Sequence, residues 1–418
     1  MVDRIRLHFP NPVIQGTIHL DGSKSISNRA LIMQALAGNP NPELDHLSTS
    51  VDTRLMQKLL SSGEGVLDAG AAGTTFRFLT AYLATREKEL ILTGSERMKQ
   101  RPIGELVNTL NELGAGIEFL ERDGYPPLRF TGKKLIQVKN KIRIRATISS
   151  QYISALLMIA PALPGGLEIE LIGEVISRPY IEMTLAMMKH FGINTSWVDD
   201  RIHIEPQSYQ SRPLFVEGDW SAASYYYSLA AIAKEAHLDL YGIKDNSLQG
   251  DSAIASIARF FNIKTQYHSD HVTLTKSNQP LPSSIEWDFI QCPDLAQTVF
   301  TMCAATGVKG AFTGLQTLRI KETDRIAAMK AELKKVNVPF FQLPSRMSKQ
   351  NEYHMVEGKV HFEEIPVFST YEDHRMAMCL APLALLHPIE IEHPAVVGKS
   401  YPEFWRDLQS LGGVVEEV

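Results

Sequence analysis

SKSISNRALIMQALA, residues 23–37, opens with serines and a lysine and continues as a run whose apolar side chains lie nearly all round a helical wheel. A helix with one apolar stripe sits on a surface; one that is apolar on every side has to be enclosed. The same layout returns five more times. It is seen in AGTTFRFLTAYLA (72–84), SSQYISALLMIAPAL (149–163), DWSAASYYYSLAAIA (219–233), PDLAQTVFTMCAATG (293–307) and EDHRMAMCLAPLALL (372–386). The starts near Ser23, Ala72, Ser149, Asp219, Pro293 and Glu372 are 49, 77, 70, 74 and 79 residues apart. Recurrence of this kind signals one supersecondary unit used repeatedly.

After each enclosed helix come a strand, a glycine-bearing loop, a second helix with a mixed face, and residues that alternate as strands do. LNELGAGIEF (110–119), MKHFGINTSW (188–197), IARFFNIKTQY (257–267), LKKVNVPFF (333–341) and LQSLGGVVEEV (408–418) show the second helix ending and the next strand beginning. The first unit lacks room for its strand-turn-strand, and the sixth has only 47 residues left from its start. The first 21 residues, with Arg4 to Phe9 and Gly16 to Leu20, read as the strands missing from the sixth unit. Two lobes follow. One is continuous over 22–216; the other joins 1–21 to 217–418, and the crossings lie near Asp21-Gly22 and Glu217-Gly218. A double crossing predicts a cleft that closes on a ligand. Equivalent helix starts predict a surface made electropositive by backbone N–H groups.

The totals narrow the function. The chain has 418 residues, 44% hydrophobic and 21% charged, with a net charge of −5. That is an ordinary globular composition, and the negative balance argues against nucleic acid or an anionic membrane as partner. The longest apolar run, Met376 to Leu386, is eleven residues, against about 20 for a membrane span. Met1 to Pro10 has no apolar signal core. Cys292, Cys303 and Cys379 are odd in number and widely spaced, which fits a reducing cytoplasm. HExxH, Walker and GxGxxG patterns are missing.

Cations concentrate at the helix starts. Lys24 and Arg29 stand among three serines in GSKSISNR (22–29). Small residues admit an anion to the backbone, and Lys and Arg add charge. Gly73 in AAGTTFR (71–77) permits close approach, and Arg101 lies in the basic loop MKQRP (98–102). Ser149, Ser150 and Gln151 open the third enclosed helix, and Ser177 precedes its companion. Asp219 and Asp294 begin enclosed helices in the other lobe: Asp219 suits the helix dipole, whereas Asp294 in a cleft would take a proton from a hydroxyl. His374 and Arg375 open the sixth helix, and Lys399 lies in VGKS (397–400). Lys321-Glu322-Thr323-Asp324-Arg325 reads as a first helical turn, its two cations four apart. They repel unless an anion sits between them, and they favour the ionised form of Glu322.

Taken together, GSKSISNRAL (22–31), RMKQRPIGEL (97–106), SSQYISALLM (149–158), SRPYIEMT (177–184), IKETDRI (320–326) and EDHRMAM (372–378) resemble, in order, the signatures of the 5-enolpyruvylshikimate-3-phosphate (EPSP) synthase family. The resemblance implies a two-lobe inside-out α/β barrel, each lobe three βαβαββ units around buried parallel helices, with the active site in the cleft. It implies transfer of the enolpyruvyl group of phosphoenolpyruvate to the 5-hydroxyl of shikimate 3-phosphate, with release of phosphate, in aromatic amino-acid biosynthesis. No cofactor and no metal are implied; a cytoplasmic monomer is expected, with small-molecule substrates as its only partners. Shikimate 3-phosphate would be held by Lys24, Ser25, Arg29, Ser149, Ser150, Gln151, Ser177, Asp294 and Lys321. Phosphoenolpyruvate would be held by Lys24, Gly73, Arg101, Gln151, Arg325, Arg375 and Lys399. Asp294 resembles the base on the 5-hydroxyl and Glu322 the acid that protonates the methylene carbon, with Lys24 and Lys321 counted among the catalytic groups.

The chain departs from the family pattern at Ala71, where Asn is usual, at Phe78, where Pro is usual, and at Thr317, where Asn is frequent. A glycine at 73, rather than alanine, predicts inhibition by glyphosate. Three alternatives stand beside this reading. UDP-N-acetylglucosamine enolpyruvyl transferases carry a reactive cysteine where Glu96 to Pro102 has none. A non-catalytic sugar-phosphate-binding protein would not need Asp294 with Glu322. An RNA-end-processing enzyme would need a basic stripe.

Overall fold

The computed structural model describes residues 3–39, 42–62, 65–147, 149–344 and 352–418. Its contacts divide the chain into two compact units, Gly22–Val216 and Met1–Asp21 joined to Glu217–Val418. The fold is mixed α/β, with helices inside and sheets outside. Among the described residues no helix is long and apolar enough to cross a membrane.

In the Gly22–Val216 unit the helices Lys24–Leu36, Gly73–Ala84 and Ser150–Ile159 pack on one another. Ile32, Met33, Phe76, Phe78, Leu156 and Leu157 are among their buried residues. In the other unit Trp220–Ile232 and His374–Leu380 flank Ala296–Thr306. Every residue of Trp220–Ile232 except Ser221 is buried. Apolar side chains on all faces leave such helices no stable place but the centre.

The sheets wrap these helices and show one plan. Gly65–Asp68 runs parallel to Glu89–Thr93, which pairs antiparallel with Leu128–Thr131, itself edged by Ile117–Phe119. The sheets around Leu167–Ile172, Glu235–Tyr241 and Lys309–Thr313 repeat it. Alternation, such as Ile142 and Ile144 turned inward in Lys141–Arg145, buries one face of each strand.

The N-terminal strands divide between two sheets. Arg4–His8 inserts between Ile389–Glu392 and Val414–Glu417, antiparallel to both, and so completes the sixth sheet. Val13–His19 does not join it. It runs parallel to Glu235–Tyr241, in the fourth. In the other sheets the strand before an enclosed helix runs parallel to the strand after it; by that pattern the partner of Val13–His19 would be Leu44–Asp45, which pairs instead with Leu214–Phe215. The strands before the two crossings are exchanged, which leaves the first sheet with two strands. Alternating sequence specifies a strand and its buried face; it carries no label for the partner.

Candidate functional site

In the Gly22–Val216 unit three helix starts meet. Lys24 Nζ lies 3.2 Å from Asp52 Oδ2, and the Asp52 carbonyl accepts a hydrogen bond from Thr75 Oγ1 at 2.8 Å. Further along the first helix Arg29 is 1% exposed. Its guanidinium donates to the carbonyls of Ser25 (2.9 Å) and Tyr180 (3.2 Å) and to Thr184 Oγ1 (2.7 Å) and Ser154 Oγ (3.2 Å). All are neutral. Burial therefore governs Arg29 and pulls its pKa down to about 10. A buried cation among neutral dipoles is a natural receptor for an anion. Phe78, where the family has proline, sets its ring 5.2 Å from this guanidinium.

Gly73 has a reason the sequence did not disclose. A Cβ there would stand 2.6 Å from Arg77 Nη1 and 2.7 Å from Arg101 Nη1. The missing side chain makes room for two guanidinium groups, and Arg77 Nη1 donates to the Gly73 carbonyl at 3.0 Å. Gln151 joins them, its Nε2 donating to Thr74 Oγ1 at 3.1 Å. Tyr152 lies 5.6 Å from Arg77 across its ring and donates its hydroxyl to the Pro102 carbonyl, which anchors the Arg101 loop. Ser149 accepts from the Gln151 N–H at 3.3 Å, so it caps the helix that Ser150 begins. Ser177 is buried in a left-handed conformation (φ 57°) before Arg178–His190.

In the other unit the cations surround carboxylates. Asp294 Oδ1 accepts from Arg325 Nη1 at 3.0 Å and lies 3.6 Å from Lys321 Nζ; its Oδ2 accepts from Arg375 Nη2 at 2.9 Å. Burial alone would raise its pKa, but Arg375, Lys321 and Arg325 together hold it far below the usual carboxylate range. Glu322 is bridged by Arg325 Nη2 at 3.0 Å and Lys399 Nζ at 2.8 Å. Lys321, Glu322, Arg325, Arg375, Lys399 and Asp294 thus form one network.

Its keystone, Asp373, was not singled out in the sequence. It is fully buried and accepts from Arg325 Nε at 2.7 Å and Nη2 at 3.3 Å. Burial opposes the Arg325 charge, yet Asp373, Glu322 and Asp294 outweigh it and raise the Arg325 pKa further. His374 is buried beside Asp373, its Nδ1 3.7 Å from Oδ1. The backbone before it is strained: Tyr371 and Glu372 have φ of 53° and 56°, rare for residues with side chains. Buried Glu332 holds this bend, accepting from Tyr371 O–H at 2.6 Å and Ser369 N–H at 3.0 Å. The helix Arg325–Lys334 therefore grips the approach to Arg375 at both of its ends.

Two expectations need correction. The helix begins at Arg325, not at Lys321, because Asp324 Oδ1 takes the N–H groups of Ile326 (3.1 Å) and Ala327 (3.0 Å). Lys321 and Arg325 still converge, through Asp294 rather than along a helix face. Nor do all helix starts offer N–H groups to an anion. Asp219, Asp324 and Asp373 each cap a helix in this unit. The starts at Lys24, Gly73 and Arg178 in the other unit have no side-chain cap among the described residues. Thr317 is buried, its hydroxyl without a hydrogen-bond partner among the described residues.

The family model described as EPSP synthase (3-phosphoshikimate 1-carboxyvinyltransferase) matches residues 57–408. A protein of Bacteroides fragilis named 3-phosphoshikimate 1-carboxyvinyltransferase is 47% identical over 402 residues, 96% of each chain. The chain belongs to the EPSP synthase family. A Sulfurovum relative with the same name is 36% identical, over 96% of this chain and 98% of its own. The fold matches an EPSP synthase structure from Acinetobacter baumannii with a TM-score of 0.77 at 19% identity, covering 99% of this chain and all of that one. It also matches the enolpyruvyl transferase NikO from Streptomyces tendae, with a TM-score of 0.72 at 12% identity, over 100% and 99%. Membership in the EPSP synthase family makes the chain an enzyme, a transferase of the shikimate pathway.

Proposed function

We propose that this chain transfers the enolpyruvyl group of phosphoenolpyruvate to the 5-hydroxyl of shikimate 3-phosphate and releases phosphate, as a monomer in the cytoplasm. One observation carries the reading. Two carboxylates, Asp294 and Glu322, share Arg325 and are each held by further cations. A protein that only bound sugar phosphates would have no need to place an acid–base pair inside its anion clamp.

Once closure desolvates it or the negative charge of the bound substrates shields Arg325 and Lys399, Glu322 takes up a proton and delivers it to the methylene carbon of phosphoenolpyruvate. The 5-hydroxyl adds to the adjacent carbon, and its proton passes to Asp294. Loss of a methyl proton and of phosphate from the resulting ketal restores the double bond, with acid and base exchanging roles. Gripped by three cations, Asp294 is a weak base. Phosphate and carboxylate groups that draw Arg375 and Lys321 toward themselves raise its basicity as the substrates bind. Arg29, with its neutral partners, suits the phosphate of shikimate 3-phosphate. Arg101 beside Gly73, with Arg325, Arg375 and Lys399, suits phosphoenolpyruvate. Lys24, Ser25, Ser149, Ser150, Gln151, Ser177 and Lys321 complete the contacts.

The test supplies phosphoenolpyruvate with shikimate 3-phosphate, and separately with UDP-N-acetylglucosamine, and follows inorganic phosphate. Release with the first pair alone is expected; release with neither would leave a binding protein. Size-exclusion chromatography with light scattering checks the monomer.

A further inference from the structure

Behind Arg375 lies a carboxyl group that the reaction as written does not use. Asp251, in the short turn Gly250–Ala253, is 2% exposed. Its Oδ2 accepts a hydrogen bond from Ser221 Oγ, and its Oδ1 has no hydrogen-bond partner among the described residues. Ser221 Oγ in turn accepts from Arg375 Nη2 at 3.3 Å, and the same nitrogen donates to Asp294 Oδ2 at 2.9 Å. A hydroxyl has one proton and two lone pairs. With its proton committed to Asp251, Ser221 turns its lone pairs toward Arg375. The acceptor at 251 thereby sets which way the hydroxyl faces.

The protonation of Asp251 matters to this chain. Burial is the main influence and pushes its pKa up to about 7; the charge of Asp294 adds to the rise, and Arg375 opposes it. Asp219 also raises it, and the neighbouring Cys292 thiol is itself pushed up to about 12, chiefly by burial. An ionised carboxylate enclosed to this degree, with a single side-chain hydrogen bond, is poorly solvated, and a proton relieves that cost. The two forms act differently on Arg375. Ionised, Asp251 is a further negative charge drawing on the same guanidinium. Neutral, it still accepts from Ser221 and leaves the charge of Arg375 for Asp294 and for an incoming anion.

We propose that Asp251 is a positioning residue that acts in its protonated form: it fixes Ser221, Ser221 fixes the Arg375 guanidinium, and Arg375 is thereby held for Asp294 and the anionic enolpyruvyl donor. The kinetic part of the test rests on the enolpyruvyl-transfer reading; a spectroscopic part does not. Asp251→Asn keeps an acceptor for Ser221 and cannot ionise, whereas Asp251→Leu removes the acceptor. At the acid end of a profile from about pH 5.5 to 8.5, Asp251→Asn is expected within about twofold of the parent in kcat/KM. Its ratio to the parent should then rise as the pH passes about 7, where the parent loses its proton. Asp251→Leu is expected to raise KM for phosphoenolpyruvate about tenfold, with a smaller change in kcat. Ser221→Ala is expected to do the same, and carries the test if the leucine variant does not fold. The idea is overturned if Asp251→Asn is as impaired as Asp251→Leu at the acid end, or if its ratio to the parent does not vary with pH. The infrared carbonyl band of a protonated carboxyl, read without substrates, should be present in the parent below about pH 6 and missing from Asp251→Asn. Its absence from the parent overturns the proposal. A protein inactive with every substrate pair yet showing the band would sink the enolpyruvyl reading alone.

Discussion

Removing Asp373 tests the idea that this carboxylate, rather than any substrate-facing group, holds the cation network together. It neutralises Arg325 through two hydrogen bonds of 2.7 and 3.3 Å and caps the helix His374–Leu380 by accepting from the Arg375 N–H at 2.9 Å. Breaking a buried ion pair from one side costs about 3–5 kcal/mol, since the other charge stays behind. Arg325 keeps Asp294 and Glu322 as partners, so the lower end applies, about 3 kcal/mol. Loss of the cap adds about 1 kcal/mol. Asp373→Ala should therefore lose about 4 kcal/mol, and at about 2–4 °C per kcal/mol for a unit of this size the melting temperature should fall by about 8–16 °C. Asp373→Asn keeps a capping side chain but no charge and should recover about 1 kcal/mol of that loss. Circular dichroism during heating, with urea unfolding as a second measure, reads both. A shift under about 2 °C for Asp373→Ala, within the range of ordinary surface substitutions, would refute the role given to Asp373. Asparagine and alanine variants of equal stability would refute the share given to the cap.

Glu332→Leu should loosen the left-handed bend at Tyr371 and Glu372, lowering stability by about 3 kcal/mol and kcat/KM by about tenfold; unchanged kinetics would separate the bend from Arg375. Gly73→Ala pushes on Arg77 and Arg101, the far ends of flexible side chains. The fold should hold, while KM for phosphoenolpyruvate rises about tenfold and glyphosate, expected to compete with phosphoenolpyruvate in the parent, inhibits less; competition kinetics on both proteins check this. Asp294 has a depressed folded-state pKa, so its stabilisation is fully present above its unfolded value near about 4 and is lost as pH falls through the lower folded one. The stability gap between the parent and Asp294→Asn should be constant from about pH 7 to 5 and close only in strong acid. Urea midpoints that converge between those two values would contradict it.

The enclosed helices were legible because residues such as those of Trp220–Ile232 are apolar on every side, a property of one short stretch. What eluded reading depends on distant parts of the chain. Nothing near Val13–His19 says that its partner is Glu235–Tyr241 rather than a strand of the sixth sheet. Asp373 looked like an ordinary helix start; its bond to Arg325 spans 48 residues. Asp52, Arg77 and Asp251 escaped for the same reason, since charge pairing and steric room at Gly73 exist only after folding. Periodicity alone points to a helix start at Lys321, but Asp324 is a nearer cap whose claim on the Ile326 and Ala327 N–H groups sets the start at Arg325.

The exchange of strands at the crossings also orders how the molecule is assembled during synthesis. Gly22–Val216 has every strand of its sheets within one uninterrupted stretch and is free to fold as it leaves the ribosome. Val13–His19 must wait for Glu235–Tyr241, and Arg4 meets Glu390 only 386 residues later. Until then Ile5, Leu7, Ile14 and Ile18, all destined for the core, stay exposed on unpaired strand edges, the kind of surface that invites misassembly. A nascent chain of this design needs its strands Arg4–His8 and Val13–His19 protected until Ile389–Glu392 and Glu235–Tyr241 have been made.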